Sequence, residues 1–352
     1  MRRSTLGKLL APVLAAGLLV PTAGAPAHAR VADPIMKGAA NPGVLLTTVD
    51  GARKWVLMTT THPTKGRKIW TASKASGPWT KSRNALLTKA PRWMRNKPVW
   101  APSVVQATDG RFHVYYAGVV KNKKGTSPRC IGTGVADRAT GPFVPDNQPI
   151  ACFTGSGTRP DDLVKAEGKR TTTFIDATPA ILDGQYYLLY KTGYSRAKGP
   201  RWHTTTRLLQ LDPANPSNIV ANPRHADGRS VKITDSKHRY IEENPVLVKR
   251  GKKYTLFTSF GWYGTCNYWT RYRQHTNLWK GWLRKKPTRL PMRTARTCGS
   301  ANAQVTPGVV KGSWRYWFNG HPDAATKGGP DGLYVGRLTW SKGKPSVRGL
   351  IR

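Results

Sequence analysis

Acidic side chains are what this sequence is shortest of. Among 352 residues there are 17 Asp and Glu against 58 Lys and Arg, a formal charge of +41. Only three are Glu: Glu167, Glu242 and Glu243. So few carboxylates make elimination a workable way to look for acid–base chemistry. Cysteine is also sparse. The four, Cys130, Cys152, Cys266 and Cys298, do not have zinc-site spacing. An even count in an exported chain points instead to two disulfides, and of the three connectivities the local one, 130–152 with 266–298, is the simplest. Helical periodicity is nearly absent. Long apolar runs are absent too, apart from the N-terminus, so no segment is read as a membrane span.

That N-terminus, MRRSTLGKLLAPVLAAGLLVPTAGAPAHA, has a basic start, a short apolar stretch broken by Pro12 and Pro21, and a small-x-small end at Ala27-His28-Ala29. It reads as a secretory signal, residues 1–29, leaving residues 30–352 as one domain and a secreted product. Cleavage removes three basic residues and takes the charge from +41 to +38. A surface so basic is drawn to polyanions, and retention on the cell wall through an anionic wall polymer is one expectation. The Lys and Arg are scattered rather than gathered in one stripe, which argues against a specific nucleic-acid site. A monomer is expected.

What is present is a succession of short strands. Five segments look alike: Trp55-Val-Leu-Met, His113-Val-Tyr-Tyr, Tyr186-Tyr-Leu-Leu-Tyr, Tyr254-Thr-Leu-Phe and Arg315-Tyr-Trp-Phe. Turn pairs precede them: Asp50-Gly51, Asp109-Gly110, Asp183-Gly184, Arg250-Gly251 and Lys311-Gly312. Ala72-Ser-Lys-Ala-Ser-Gly-Pro-Trp79 repeats as Ala136-Asp-Arg-Ala-Thr-Gly-Pro-Phe143, 64 residues on. Five units of that length account for the mature chain. The expected fold is all-β, a five-bladed β-propeller, with a β-sandwich as the competing reading.

In a propeller the first strand of each blade lines the axis. Those strands should open at Asn41-Pro42, Trp100-Ala-Pro, Ile175-Asp176, Glu243-Asn-Pro245 and Ser300-Ala-Asn-Ala. Five Asp precede Gly and belong to turns, and most others fall in polar loops, Asp161, Asp162 and Asp235 among them. Asp33, Asp176, Glu242 and Glu243 remain. Asp176 and Glu243 start neighbouring inner strands and should share a cleft. Alternation turns Glu242 away from Glu243. The plainer reading for each carboxylate is neutralisation of nearby Lys and Arg.

The segments Trp100-Ala-Pro-Ser-Val, Ile131-Gly-Thr-Gly-Val-Ala with Gly141-Pro-Phe, Ile175-Asp176 with Asp183-Gly-Gln-Tyr-Tyr-Leu, and Glu243-Asn-Pro with Gly251-Lys-Lys-Tyr-Thr-Leu-Phe resemble glycoside hydrolase family 43 in order and spacing. That family comprises propeller arabinanases, arabinofuranosidases and xylosidases. The resemblance implies a glycosidase that hydrolyses arabinose- or xylose-containing polysaccharide with inversion. It implies Glu243 as general acid, two residues before a Pro, and Asp176 as the group that tunes its pKa. The family's base is the Asp of an Asp-Pro opening the first inner strand, and the chain has Asn41-Pro42 in that register. Asp33-Pro34 has the dipeptide but lies eight residues earlier. Either the N-terminal segment brings Asp33 to the cleft, and it is the expected base, or the base is lost and the protein binds glycan with slow or no hydrolysis. Family members often have an axial His in the fifth blade tied to a cation. Ser300-Ala-Asn-Ala has none, so no cofactor or metal is expected and a central calcium is doubtful. His113 and His321 are read as structural. Trp100 and Trp262 are equally candidates for sugar stacking and for blade packing.

Overall fold

A computed structural model describes residues 33–121, 127–165, 172–195, 202–220, 230–293, 297–321 and 332–352. The expected signal, residues 1–29, lies outside them. Among the described residues there are 24 strands. A short β1 (Met36–Lys37) comes first. The first antiparallel meander is β2 (Gly43–Val49), β3 (Ala52–Met58), β4 (Ile69–Ala72) and β5 (Thr80–Lys81). The second is β6 (Trp100–Gln106), β7 (Phe112–Val119), β8 (Arg129–Ala136) and β9 (Val144–Pro145), trailed by β10 (Ala151–Phe153) and β11 (Asp162–Val164). The third is β12 (Thr173–Leu182), β13 (Gln185–Ser195), β14 (Trp202–Leu211) and β15 (Val231–His238). The fourth is β16 (Ile241–Arg250), β17 (Lys253–Gly261), β18 (Trp269–His275) and β19 (Thr288–Arg289). After β20 (Met292–Arg293), the fifth is β21 (Cys298–Pro307), β22 (Trp314–His321), β23 (Gly332–Ser341) and β24 (Lys344–Leu350).

The first strands of the five meanders touch in a closed ring: β2 meets β6, β6 meets β12, β12 meets β16, β16 meets β21, and β21 returns to β2. A closed ring of radial four-stranded sheets is a propeller. Closure is reinforced by β1, which pairs antiparallel with β23 of the last blade, Met36 opposite Leu333. The inner strands approach so closely that a Cβ at Gly43 would lie 2.1 Å from the Pro102 carbonyl oxygen.

The second strand of each blade is apolar on both faces because each face meets a different neighbour. In β3, Trp55 and Leu57 pack toward Trp317 and Val335 of blade five, while Val56 and Met58 join the cluster shared with blade two. In β13, Leu188 and Tyr190 face the blade-two side and Leu189 the blade-four side, with Leu247 and Leu256. In β22, Tyr316 and Phe318 pack on Phe257 and Val246 of blade four. Period-two alternation therefore sorts side chains between two apolar interfaces rather than between core and water.

Turn chemistry is as the sequence leads one to expect. Asp50-Gly51 and Asp183-Gly184 both have positive φ at each residue, 50° and 75° in the first and 53° and 75° in the second, which suits type I′ hairpins. The repeated Gly-Pro-Trp and Gly-Pro-Phe corners share a backbone, with positive φ at Gly77 and Gly141. Two disulfides form in the local pairing, Cys130–Cys152 and Cys266–Cys298. Two loop placements fail: Asp235 is in β15, paired with Thr205, and Asp162 is not in a polar loop. It is fully buried in β11, where the Tyr190 hydroxyl donates to it at 2.5 Å and the Ser230 N–H at 3.1 Å. Its burial depends on blade-three side chains remote in sequence. Among the described residues no helix is long and apolar enough to cross a membrane.

Candidate active site

Each inner strand opens with one residue in the left-handed region: Asn41 (φ 54°), Ala101 (45°), Asp176 (58°), Asn244 (49°) and Asn302 (53°). Four of the five are Asn or Asp, whose short polar side chains tolerate this backbone best after Gly. In β6, β12, β16 and β21 the pairing with the next strand slips at the same place. Such a bulge re-aims side chains. The result is a polar pocket on the axis, lined by all five of these residues together with Ser103, Thr178 and Gln304. Asp176 is the carboxylate among its lining residues, and among the described residues no Lys or Arg lines it.

Asp176 and Glu243 come together across the boundary between blades three and four. The Asn244 N–H donates to Asp176 Oδ2 at 3.1 Å. Glu243 sits just before Asn244 and is buried behind it. Its Oε2 accepts from Lys191 Nζ at 3.3 Å and its Oε1 from the Tyr268 hydroxyl at 2.9 Å. Tyr268 also lies 2.7 Å from the side-chain oxygens of Asn244 and Asn302. Burial, then the negative charge of Glu243, pushes the Asp176 carboxyl up to about 7, with Lys191 and the Asn244 N–H pulling the other way. Burial, followed by the charges of Glu243 and Asp176, likewise pushes the Tyr268 phenol well up, so it remains a proton donor. Asn41 holds the facing position on blade one. Its N–H donates to Asn319 Oδ1 at 3.0 Å and its Nδ2 to Thr60 Oγ1 at 3.0 Å.

A ring of blades with two buried carboxylates at adjacent inner-strand openings is matched by a known sequence pattern. Residues 32–314 match the family described as Glycosyl hydrolases family 43. The chain belongs to that family. It is 27% identical over 172 residues to extracellular endo-alpha-(1->5)-L-arabinanase 2 of Bacillus subtilis (strain 168), a stretch covering 48% of this chain and 32% of the relative. It is 23% identical over 205 residues to an extracellular endo-alpha-(1->5)-L-arabinanase of Thermotoga petrophila, covering 55% and 39%. The matches thus span about a third to two-fifths of these curated relatives. Among solved structures, a thermostable family-43 glycoside hydrolase superposes with TM-score 0.68 at 17% identity, over 90% of this chain and 95% of that one. An alpha-L-arabinofuranosidase from Lactobacillus brevis gives 0.63 at 16%, over 90% and 96%. At such identities the superpositions speak to the fold.

Within this family 43 chain, the sequence-predicted residues fall in three places. Asp176 lines the axial pocket and Glu243 lies directly behind it. Asp33 does not join them. It is exposed on the rim of blade five, because β1 pairs with β23 and carries the residues before it outward. Pro34 lies against Gly332, and the Ile35 N–H donates to the Leu333 oxygen at 2.8 Å. The expectation that Asp33 reaches the cleft is corrected by this pairing: Asn41, not Asp33, faces the pocket. Glu242 does point away from Glu243, as alternation requires. It is buried against Arg271, Arg273 and the Thr258 hydroxyl. Burial opposes its charge, but Arg273 and Arg271 outweigh it and hold the carboxyl below its usual range.

Trp100 and Trp262 are part-exposed, at 38% and 36%. The Arg129 guanidinium stacks 3.6 Å over Trp100. Trp262 lies 6.0 Å from Trp202 and 5.0 Å from Tyr263. Lys191 and Tyr268 were not legible as site residues. Lys191 is a cation directly after the apolar run Tyr186–Tyr190, and that position was the one available signal.

Proposed function

We propose that this chain is a secreted glycoside hydrolase acting on arabinose- or xylose-containing polysaccharide. The reading rests on family membership and on one geometric observation: Asp176 lines the axial pocket, and the buried Glu243, next in the chain to the Asn244 whose N–H binds Asp176, lies close enough for its charge to act on Asp176. The arabinanase names of the curated relatives, both extracellular, support the substrate class and the location. Two disulfides support export as well.

In the proposed chemistry the protonated form of Glu243, not the charged form paired with Lys191, gives its proton to the departing glycosidic oxygen as the bond to the anomeric carbon breaks. Water adds to that carbon from the opposite face and must lose a proton. Lys191 and Tyr268 hold the Glu243 carboxyl in place, and Asp176 sets the local charge. An Asn amide cannot take the water's proton as a carboxylate does. With Asn41 in the facing position that proton is left to solvent, and turnover is slow. Asn41 also carries the second reading, a propeller that holds glycan with little or no hydrolysis. No cofactor enters the scheme. The pocket offers one carboxylate with amide and hydroxyl oxygens, a low charge count for calcium. The basic surface adds attachment to an anionic wall polymer, weakened by salt.

The test is release of reducing sugar from arabinan and xylan. Glu243→Gln should lower it by about 10²–10⁴-fold, the usual contribution of a positioned acid. No release by the wild-type chain, with glycan still bound, would leave the binding reading.

A further inference from the structure

The mouth of blades three and four carries a continuous aromatic belt that the pocket chemistry does not use. Trp202 lies opposite His238 in the β14–β15 register, and Trp202 and Trp262 are 6.0 Å apart. Trp262 continues to Tyr263 at 5.0 Å. His238 meets Phe260 at 5.1 Å, and Phe260 meets Trp269 at 5.5 Å. The belt adjoins the pocket. Gly261, which precedes Trp262, pairs with Ile241, three residues before Asn244.

These rings are not all core. Trp262 is 36% and Tyr263 47% exposed, and His238 is exposed as well. Cations interleave with them. The exposed Arg289 stacks 5.1 Å over Trp269, and the exposed Arg239 lies 4.8 Å from the Tyr240 ring. The nearby carboxylates are already engaged: Asp235 by Lys232 and His203, Glu242 by Arg271 and Arg273. The belt is therefore a positive, ring-faced surface. The Cys266–Cys298 bridge ties the loop bearing Trp262 and Tyr263 to the start of β21, which fixes it before any ligand arrives.

We propose that this belt binds the acidic sugars of a polysaccharide whose neutral sugars occupy the axial pocket, that is, an arabinose- or xylose-based chain bearing uronic acids. The apolar faces of the sugar rings stack on Trp262, Tyr263 and Trp269, and the carboxylates pair with Arg239 and Arg289. A polymer charged at every unit fits less well, because the pocket next to the belt offers amides, hydroxyls and a carboxylate but, among the described residues, no cation. That asymmetry favours a mixed neutral and acidic glycan over a nucleic acid, though aromatic and basic groups together could hold either. The inference rests on the polysaccharide reading above for the class of polymer, not for catalysis.

The experiment uses the full chain carrying Glu243→Gln, so that turnover does not intervene. Its affinity is measured for glucuronoxylan and for the same polymer after reduction of its carboxyl groups. The acidic form should bind roughly tenfold more tightly, about 1.4 kcal/mol. Arg289→Gln, a change at an exposed residue, should remove most of that preference, and Trp262→Ala should weaken binding of both forms. Equal affinity for the two polymers would overturn the proposal. So would a single-stranded DNA oligomer that binds as tightly as glucuronoxylan and depends equally on Trp262. If the chain without Glu243→Gln releases sugar from neither arabinan nor xylan but the preference persists, the hydrolase reading fails and the belt stands.

Discussion

At the scale of single residues, the proposed chemistry makes Asn41 the residue that limits turnover. It differs from a carboxylate by one group, and its left-handed backbone (φ 54°) is one that Asp tolerates equally well. Asn41→Asp should therefore fold and place a carboxylate on the pocket, where it can take the proton of the attacking water. The expected gain in reducing-sugar release from arabinan or xylan is about 10²-fold or more, by the usual worth of a general base. An unchanged rate would mean that water activation is not what limits the protein. Asp176 makes a prediction in pH. Its carboxyl rises from an ordinary value of 3.8 to about 7 on folding, chiefly through burial and then through Glu243. The native state thus keeps a proton that the unfolded chain gives up near pH 4. The stabilisation is full below that pH and is lost as pH rises to about 7. Urea midpoints should fall over this window, and Asp176→Asn, which keeps an oxygen for the Asn244 N–H, should flatten that fall.

At the scale of elements, the left-handed opening of each inner strand, bulged in β6, β12, β16 and β21, is the unit of design. A strand in plain register would send alternate side chains into the two inter-blade interfaces. The left-handed residue breaks that rule once per blade, and five such breaks make the pocket. The linked strands after β8 depend on a second device, the buried Cys130–Cys152 bridge, whose ends are 22 positions apart in sequence. It joins β8 to β10 beside the blade-two core. Replacing both cysteines by Ala should cost about 2–4 kcal/mol, measured by urea unfolding under non-reducing conditions. The pairing was the simplest choice from spacing alone. The repeats and hairpin turns were equally legible, because Asp-Gly pairs and the Gly-Pro corners encode backbone geometry locally. Lys191 and Tyr268 were not, since each reaches Glu243 only after β13 and β17–β18 are laid beside β16.

At the scale of the whole molecule, ring closure is what a propeller must secure. Here the inner strands close on themselves, and β1 adds to blade five from the other end of the chain. Ile35 and Met36 pack against the cluster of Trp55, Trp317 and Val335 that joins blades one and five. Met36→Asp should lower the Tm by several degrees and loosen that junction first, seen as faster amide exchange in β2 and β23 than in β12. The same closure explains the fate of Asp33. Joining β1 to the third strand of blade five places its preceding residues on the outer rim.

The sequence alone determined the all-β class, the fivefold repeat, the family, and the candidates Asp176 and Glu243, because strand alternation, turn residues and short motifs are local properties of the chain. Tertiary structure alone decided which residue faces Glu243 and Asp176 across the axis. Asp33 and Asn41 are eight positions apart in the same segment, and each is followed by Pro. What separates them is hydrogen bonding to blade five, some 280 residues downstream: Leu333 takes the Ile35 N–H, and Asn319 takes the Asn41 N–H. Pairings at that distance leave no mark on local sequence, so the residue that lines the pocket from blade one could be read only after the ring had closed.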